Sequence, residues 1–184
     1  MPNSINGWPV LDNPAWGDPR ALKKKIPGIG TDLWVRKECW PFFAALVRDY
    51  HESIRKVHVS DGYDYRQANA ANAWSDHSSG TAVDINYDKE GAQGTSQRPW
   101  WEKAKHAYNA RRIKKCYAIV IWGGPKDMGG DYVQPQNWDF MHWALAKGTN
   151  VDDVKRMIKH LGITDDGYRM NYANGKPRKN YPKN

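Results

Sequence analysis

Apolar residues recur at three- and four-residue steps through Phe43, Leu46, Val47, Tyr50, Ile54 and Val57, which places one stripe of a helix against a core. Pro41 suits the first turn of that helix, where no amide proton is needed. The period then shortens. VHVS (57–60) predicts a short strand running into a turn at Asp61 and Gly62 within DGYDYR, and the alternation of TAVDIN (81–86) predicts a second strand. Trp101, Ala104 and Tyr108 predict a helix over about 99–113. YAIVIW (117–122), β-branched and aromatic, predicts a central strand ended by Gly123 and Gly124. DFMHWAL predicts another strand after a Gly-, Pro- and Asn-rich loop (123–138). Over 151–161, Val154, Met157, Ile158 and Leu161 form an apolar stripe, with Asn150 as cap, Asp152 and Asp153 in the first turn and Gly162 as stop. Residues 1–33, rich in Pro and Gly, predict an irregular arm laid over the domain by Trp8 and Trp16. The fold class expected is α+β: a small antiparallel sheet with flanking helices.

Composition narrows the setting. A chain of 184 residues with 40% hydrophobic residues, 10 Trp and 10 Tyr is expected to fold as one domain with a real core. Its net charge of +8 points to an anionic partner: nucleic acid, a membrane surface or an acidic wall polymer. Charge does not choose among these, but no helix-turn-helix or RNP-like motif supports a specific nucleic-acid binder. No apolar run approaches the ~20 residues of a membrane span, and MPNSINGWPVLDNP lacks the basic and apolar regions of a secretory signal. Cys39 and Cys116, far apart and in no C-x-x-C spacing, are expected to be buried free thiols rather than metal ligands. From Arg169 onward five Lys/Arg and no acid make either a loosely docked tail or a contact for an anionic polymer. The lysines at 23–25 are expected to be a solvated face.

Of six histidines, His51, His106 and His160 sit among charged helical neighbours and are expected at the surface, and His58 is expected to be structural. His77 and His142 differ, since each stands beside an acid at a strand boundary. In one straight strand His77 and Asp84 would be about 23 Å apart on opposite faces. A turn through Ser78, Ser79 and Gly80, with Gly80 at positive φ, instead folds His77 back beside the strand that carries Asp84. Asp139 and His142 can serve one point only if Asp139 lies in the loop before the strand. Two imidazoles and one carboxylate around an open position make a catalytic zinc site, and the remaining acid is then free to take a proton from the attacking water.

At these residues the chain resembles a family. SDHSSGTAVDIN is similar to the S-x-H-x-x-G-x-A-x-D-[IL] signature of the M15 zinc peptidases (VanY, or D-Ala-D-Ala carboxypeptidase-like), and DFMHW resembles their later [DE]-x-x-H-[FW] motif. VHVSDGYDYR, VIWGG and NGWPV match in the family's order, so the resemblance spans about residues 5–146. It implies a Hedgehog/D-Ala-D-Ala peptidase-like fold, with 1–146 as the peptidase domain and 147–184 a helix and basic tail extending it. It further implies His77, Asp84 and His142 as Zn2+ ligands and Asp139 as general base. Arg66 would polarise the scissile carbonyl or hold a substrate carboxylate. Ser75 would hydrogen-bond substrate or a ligand, or act only as a turn residue. Trp122 and Trp143 are expected in the core, and Asp76 behind the ligands or facing solvent.

The activity implied is hydrolysis in the peptidoglycan stem peptide, at L-alanyl–D-glutamate or alternatively a D-alanyl bond, by a monomeric phage endolysin. Such a protein would pass from the host cytoplasm to the cell wall through a holin. A non-catalytic zinc-stabilised wall-binding module is the rival of another class. The chain departs from the family in carrying Asp rather than Glu as base, Gln67 after Arg66, and a longer loop after VIWGG. A β-branched residue at Gly80 is expected to cost metal affinity before it costs the fold.

Overall fold

The computed structural model describes residues 2–11, 18–68, 72–90, 99–132 and 139–169. Two antiparallel strands, β1 (Ala21–Lys25) and β2 (Asp32–Arg36), form a hairpin. Helix α1 (Trp40–Ser53) follows, then β3 (Ser60–Asp61), β4 (Ala82–Ile85), α2 (Tyr87–Glu90), α3 (Trp100–Cys116), β5 (Val120–Trp122), β6 (His142–Leu145) and α4 (Val151–Leu161). The second sheet has the order β3-β4-β6-β5 with every pairing antiparallel. The α+β class with a small antiparallel sheet is thus as expected. No helix among the described residues is long and apolar enough to cross a membrane.

Helix α1 lies at the centre. Phe42, Phe43, Leu46, Val47 and Tyr50 are buried against Leu33 and Val35 of the hairpin and against Tyr117 and Val120. Burying each large side chain contributes roughly 1.5–3 kcal/mol before the entropy of ordering it is subtracted. Helix α4 joins the same core through buried Val154 and the partly buried Met157, Ile158 and Leu161. The Asn150 side chain accepts from the amides of Asp152 (2.9 Å) and Asp153 (3.1 Å), while Asp153 accepts from the Asn150 amide (2.9 Å). Gly162, at φ 60°, closes that helix as its spacing foretold.

Four expectations need correction. The arm over 1–33 contains the β1–β2 hairpin; Pro27, Gly28 and Gly30 are its loop, and Leu33 and Val35 its buried face. YAIVIW supplies an edge strand instead of a central one, because β6 lies between β4 and β5. VHVS is mostly loop, since β3 begins only at Ser60. His106 is buried, stacked on Trp122 at 5.6 Å and edge-on to Phe140, whereas Trp101 and Tyr108 of the same helix face outward. At 100° per residue His106, Ala107, Ala110 and Ile113 share the inner side of α3, so its core stripe is small and the large rings lie opposite.

Other expectations stand as read. Lys23, Lys24 and Lys25 are exposed, Trp8, Trp122 and Trp143 are buried, and both cysteines are free thiols. Cys39 is buried, and that burial pushes its thiol up to about 12, whereas Cys116, also expected to be buried, is only half-buried. Trp16 and the tail beyond Arg169 lie outside the described residues.

Candidate metal centre

The stretch from Ser75 to Ile85 is a cap, one tight turn and a strand. Ser75 is extended and accepts a hydrogen bond from the His77 amide at 3.3 Å, starting a 3-10 turn over Asp76–Ser79. Gly80 ends the turn at φ 66°, its amide donating to the His77 carbonyl at 2.9 Å. The turn is held from outside: the Arg36 amide donates to the Gly80 carbonyl (2.8 Å) and the Leu11 amide to Ser78 (2.9 Å). From the N-terminal arm, the Asn6 amide donates to Asp76 at 2.9 Å, and the Asn6 side chain donates to Thr81 at 2.8 Å and to the Leu145 carbonyl at 3.2 Å. A Cβ on Gly80 would stand 2.5 Å from the Arg36 nitrogen. A side chain there therefore strains hairpin and turn together, and the fold is struck along with the site rather than after it.

Antiparallel register places the other two groups. Asp84 on β4 lies directly opposite His142 on β6, and the turn returns His77 to the same point. His77 Nε2 is 3.3 Å from Asp84 Oδ1 and 3.3 Å from His142 Nδ1, and His142 Nδ1 is 3.0 Å from Asp84 Oδ1. All three residues are buried, and together they can hold a metal ion. The other nitrogen of His77 is committed: Nδ1–H donates to the Gly62 carbonyl, which leaves the Nε2 lone pair facing Asp84 and His142. Gly62 is required at that spot, since a Cβ would lie 2.1 Å from the Trp34 carbonyl oxygen.

Electrostatics favour positive charge here. Burial alone would raise the Asp84 carboxyl, but the His77 charge and the hydrogen bonds from His142 and His77 outweigh it and hold Asp84 far below the usual carboxylate range. Burial pulls His77 down, and the Asp84 charge and hydrogen bond more than reverse this. A site that holds a proton so firmly between a carboxylate and an imidazole is one where a cation can replace that proton.

Asp139 stands in the turn before β6, where the sequence required it to be. Its amide donates to the Gly123 carbonyl (2.8 Å), its carbonyl accepts from the His142 amide (3.1 Å), and Gly123 in turn donates to the His142 carbonyl (2.9 Å). Gly123 admits no side chain, because a Cβ would meet the Asp139 carbonyl oxygen at 2.3 Å. Asp139 Oδ1 is buried and has no hydrogen-bond partner among the described residues. Burial first, and the Asp84 charge second, push its carboxyl up to about 6 against the opposing pull of His142 and His77. It is thus an acid that changes protonation near neutral pH, with a lone pair to use.

The remaining candidates take different places. Ser75 is buried and engaged as the cap of the turn. Arg66, its side chain 38% exposed, pairs with Asp64 at 2.7 Å, and its charge opposes protonation of His77. Its backbone is tied to the His77 turn, its amide donating to Ser78 Oγ at 3.0 Å and its carbonyl accepting from the Ser75 amide at 3.1 Å. Asp76 is buried behind the ligands, held by Asn6. Tyr132, which carried no sequence signal, stacks on His142 with ring centroids 6.3 Å apart. Burial and then the charges of Asp139, Asp76 and Asp84 push its hydroxyl up to about 12, so it remains a neutral donor. It sits in the loop after VIWGG, whose composition marks only a turn. The outcome is two nitrogens and one oxygen converging on a point, a carboxyl with one unpartnered oxygen that feels their charges, and a phenol stacked against His142. Comparisons with family models, with curated proteins and with solved structures return no match for this chain.

Proposed function

We propose that this chain is a zinc-dependent peptidase that cuts the peptidoglycan stem peptide, at the L-alanyl–D-glutamate bond in the first instance. The observation that carries the reading is the buried His77–Asp84–His142 set, with Asp139, whose Oδ1 has no partner among the described residues, coupled to it electrostatically. Zinc fits the donors. Tetrahedral bonds of ~2.0–2.1 Å separate neighbouring ligand atoms by about 3.3 Å, and the three edges here are 3.0, 3.3 and 3.3 Å. Two imidazole nitrogens and one carboxylate leave the fourth position for water or substrate, as catalytic zinc sites do and closed structural ones do not.

When bound, zinc supplies a Lewis acid that polarises the scissile carbonyl and makes water acidic enough to attack near pH 7. Asp139 accepts the proton from the attacking water and delivers it to the departing amine as the C–N bond breaks. Tyr132 donates to the oxygen on which negative charge grows. Arg66, at the exposed edge, exchanges Asp64 for a substrate carboxylate, to which a planar guanidinium donates in a fork.

The substrate class rests on the motifs SDHSSGTAVDIN and DFMHW, on their order with VHVSDGYDYR and VIWGG, and on the +8 charge, which suits an acidic wall. On the same motifs we read the sheet as Hedgehog/D-Ala-D-Ala peptidase-like and the chain as a monomeric endolysin. Cleavage at a D-alanyl bond is the second reading for the bond. A non-catalytic zinc module would have no use for Asp139, whose buried, unpaired oxygen is costly to maintain. Digestion of purified walls with and without chelator, followed by identification of new amino termini, tests the reading. New N-terminal glutamate that vanishes with chelator and falls about 100- to 10,000-fold in Asp139→Ala is the expected result. Wild-type protein that binds zinc yet releases nothing would refute it.

A further inference from the structure

The outer face of α3 carries a row of side chains that the metal centre does not use. Trp101, Lys105, Tyr108, Arg112 and Lys115 follow at steps of four, three, four and three residues. At 100° and 1.5 Å per residue they fall within about 40° of one line and extend about 21 Å along the helix. All five are exposed, Trp101 by 62% and Tyr108 by 55%, and the row contains no acid. Arg112 lies over the Tyr108 ring at 5.9 Å, so cation and ring present one continuous surface. The inner side, His106, Ala107, Ala110 and Ile113, is packed on the core, so helix packing does not call for the rings outside. The only acid of the helix, Glu102, lies off the row and is paired with Arg55 at 3.4 Å.

We propose that this ridge is an exosite for polymeric peptidoglycan, holding the glycan–peptide network while the metal centre cuts it; this rests on the wall-peptidase reading above. The ridge is narrow and runs ring, cation, ring, cation, ending in a second cation, Lys115. That matches a linear polymer offering flat pyranose C–H faces and carboxylates in turn, with the rings stacking on sugar and the cations pairing with stem carboxylates. The other anionic surfaces fit less well. Interfacial helices bury an apolar face wider than two rings, and single-stranded nucleic acid is tracked by a basic groove rather than a convex edge. The ridge is also tied to the centre. Lys114, beside Lys115, pairs with Asp131 at 2.6 Å, and Asp131 accepts from the Trp122 amide at 2.8 Å and precedes Tyr132. A polymer held on α3 thus raises the concentration of stem peptide near the site without contributing to the chemical step.

Two measurements on the full chain test this. In the first, Asp139→Ala protein, which does not cut, is pelleted with purified sacculi, with and without the added changes Trp101→Ala and Tyr108→Ala, or Lys105→Gln, Arg112→Gln and Lys115→Gln. Binding about tenfold weaker in both sets, and weakening with salt in the parent, is expected. In the second, the same changes in otherwise wild-type protein leave hydrolysis of a soluble stem tetrapeptide within about twofold while lowering turnover of dilute sacculi about tenfold. Unchanged pelleting in both sets overturns the exosite, as does a loss confined to anionic vesicles or to DNA. If the protein cuts neither substrate, the wall-peptidase reading fails, and the pelleting result still decides whether the ridge holds wall.

Discussion

Gly123→Ala places one methyl group where the structure has no room for it. Its Cβ would lie 2.3 Å from the Asp139 carbonyl oxygen and 3.2 Å from the His142 Cβ. A normal carbon–oxygen contact needs about 1 Å more, and the two sides of the contact do not yield equally. His142 is held by β4 on one side and β5 on the other, while Asp139 is in a turn secured by the Gly123 carbonyl and the His142 amide. Asp139 therefore moves and the His77–Asp84–His142 set stays. Overpacking of this size costs about 1–3 kcal/mol of stability, and a 1 Å displacement of a reacting group lowers turnover by up to about 100-fold. Release of peptide from purified walls, zinc content and thermal melting, measured on one preparation, separate the effects. The expected outcome is near-full zinc, a small fall in melting temperature and a large loss of turnover. Wild-type turnover, or loss of zinc in proportion to activity, would refute the assignment of Asp139 as the group the turn positions.

Two further changes probe the frame. Asp49 is buried on α1, and burial raises its carboxyl from 3.8 to about 7 even though Arg169 pairs with it at 2.9 Å. An acid raised on folding gives stability that is full below about pH 4 and lost as pH rises through about 7, a loss of up to about 4 kcal/mol. Chemical denaturation between pH 4 and 8 should show that slope, and Asp49→Asn should flatten it; an identical slope in the variant would exclude Asp49 as its source. Asn150→Ala removes the capping box of α4 and should cost about 1 kcal/mol in a denaturant melt without altering wall hydrolysis.

What could be read in the residues depended on whether one element settled the matter. The α4 stripe, the Asn150 cap and the positive φ of Gly80 are local consequences of side-chain chemistry and are found where the spacing put them; the α1 stripe holds from Phe43 to Tyr50, but the helix ends at Ser53, short of Ile54 and Val57. His77 and Asp84 are brought together by a single turn, so their pairing was legible, and so was the need for Asp139 to precede the strand of His142. The hairpin was hidden because Pro27, Gly28 and Gly30 dominate the composition around two five-residue strands. His106 was misread from its charged neighbours in sequence, although its angular position with Ala110 and Ile113 already put it inside. Tyr132 and Gly62 act at the centre through long-range approach alone, one stacking on His142 and the other accepting from His77. Nothing in DGYDYR or the loop after VIWGG could specify such partners. The edge position of β5 likewise depends on strand order, which no single strand encodes.

On the proposed reading His77, Asp84 and His142 hold one metal ion, and Asp139 stands beside it without being a ligand. Metal content of the purified chain by elemental mass spectrometry tests this most directly, with Asp139→Ala and His142→Ala prepared in parallel. One zinc per chain in wild type and in Asp139→Ala, with a loss of most of it in His142→Ala, is the result predicted. Full zinc retained in His142→Ala, or zinc lost in Asp139→Ala, would contradict it.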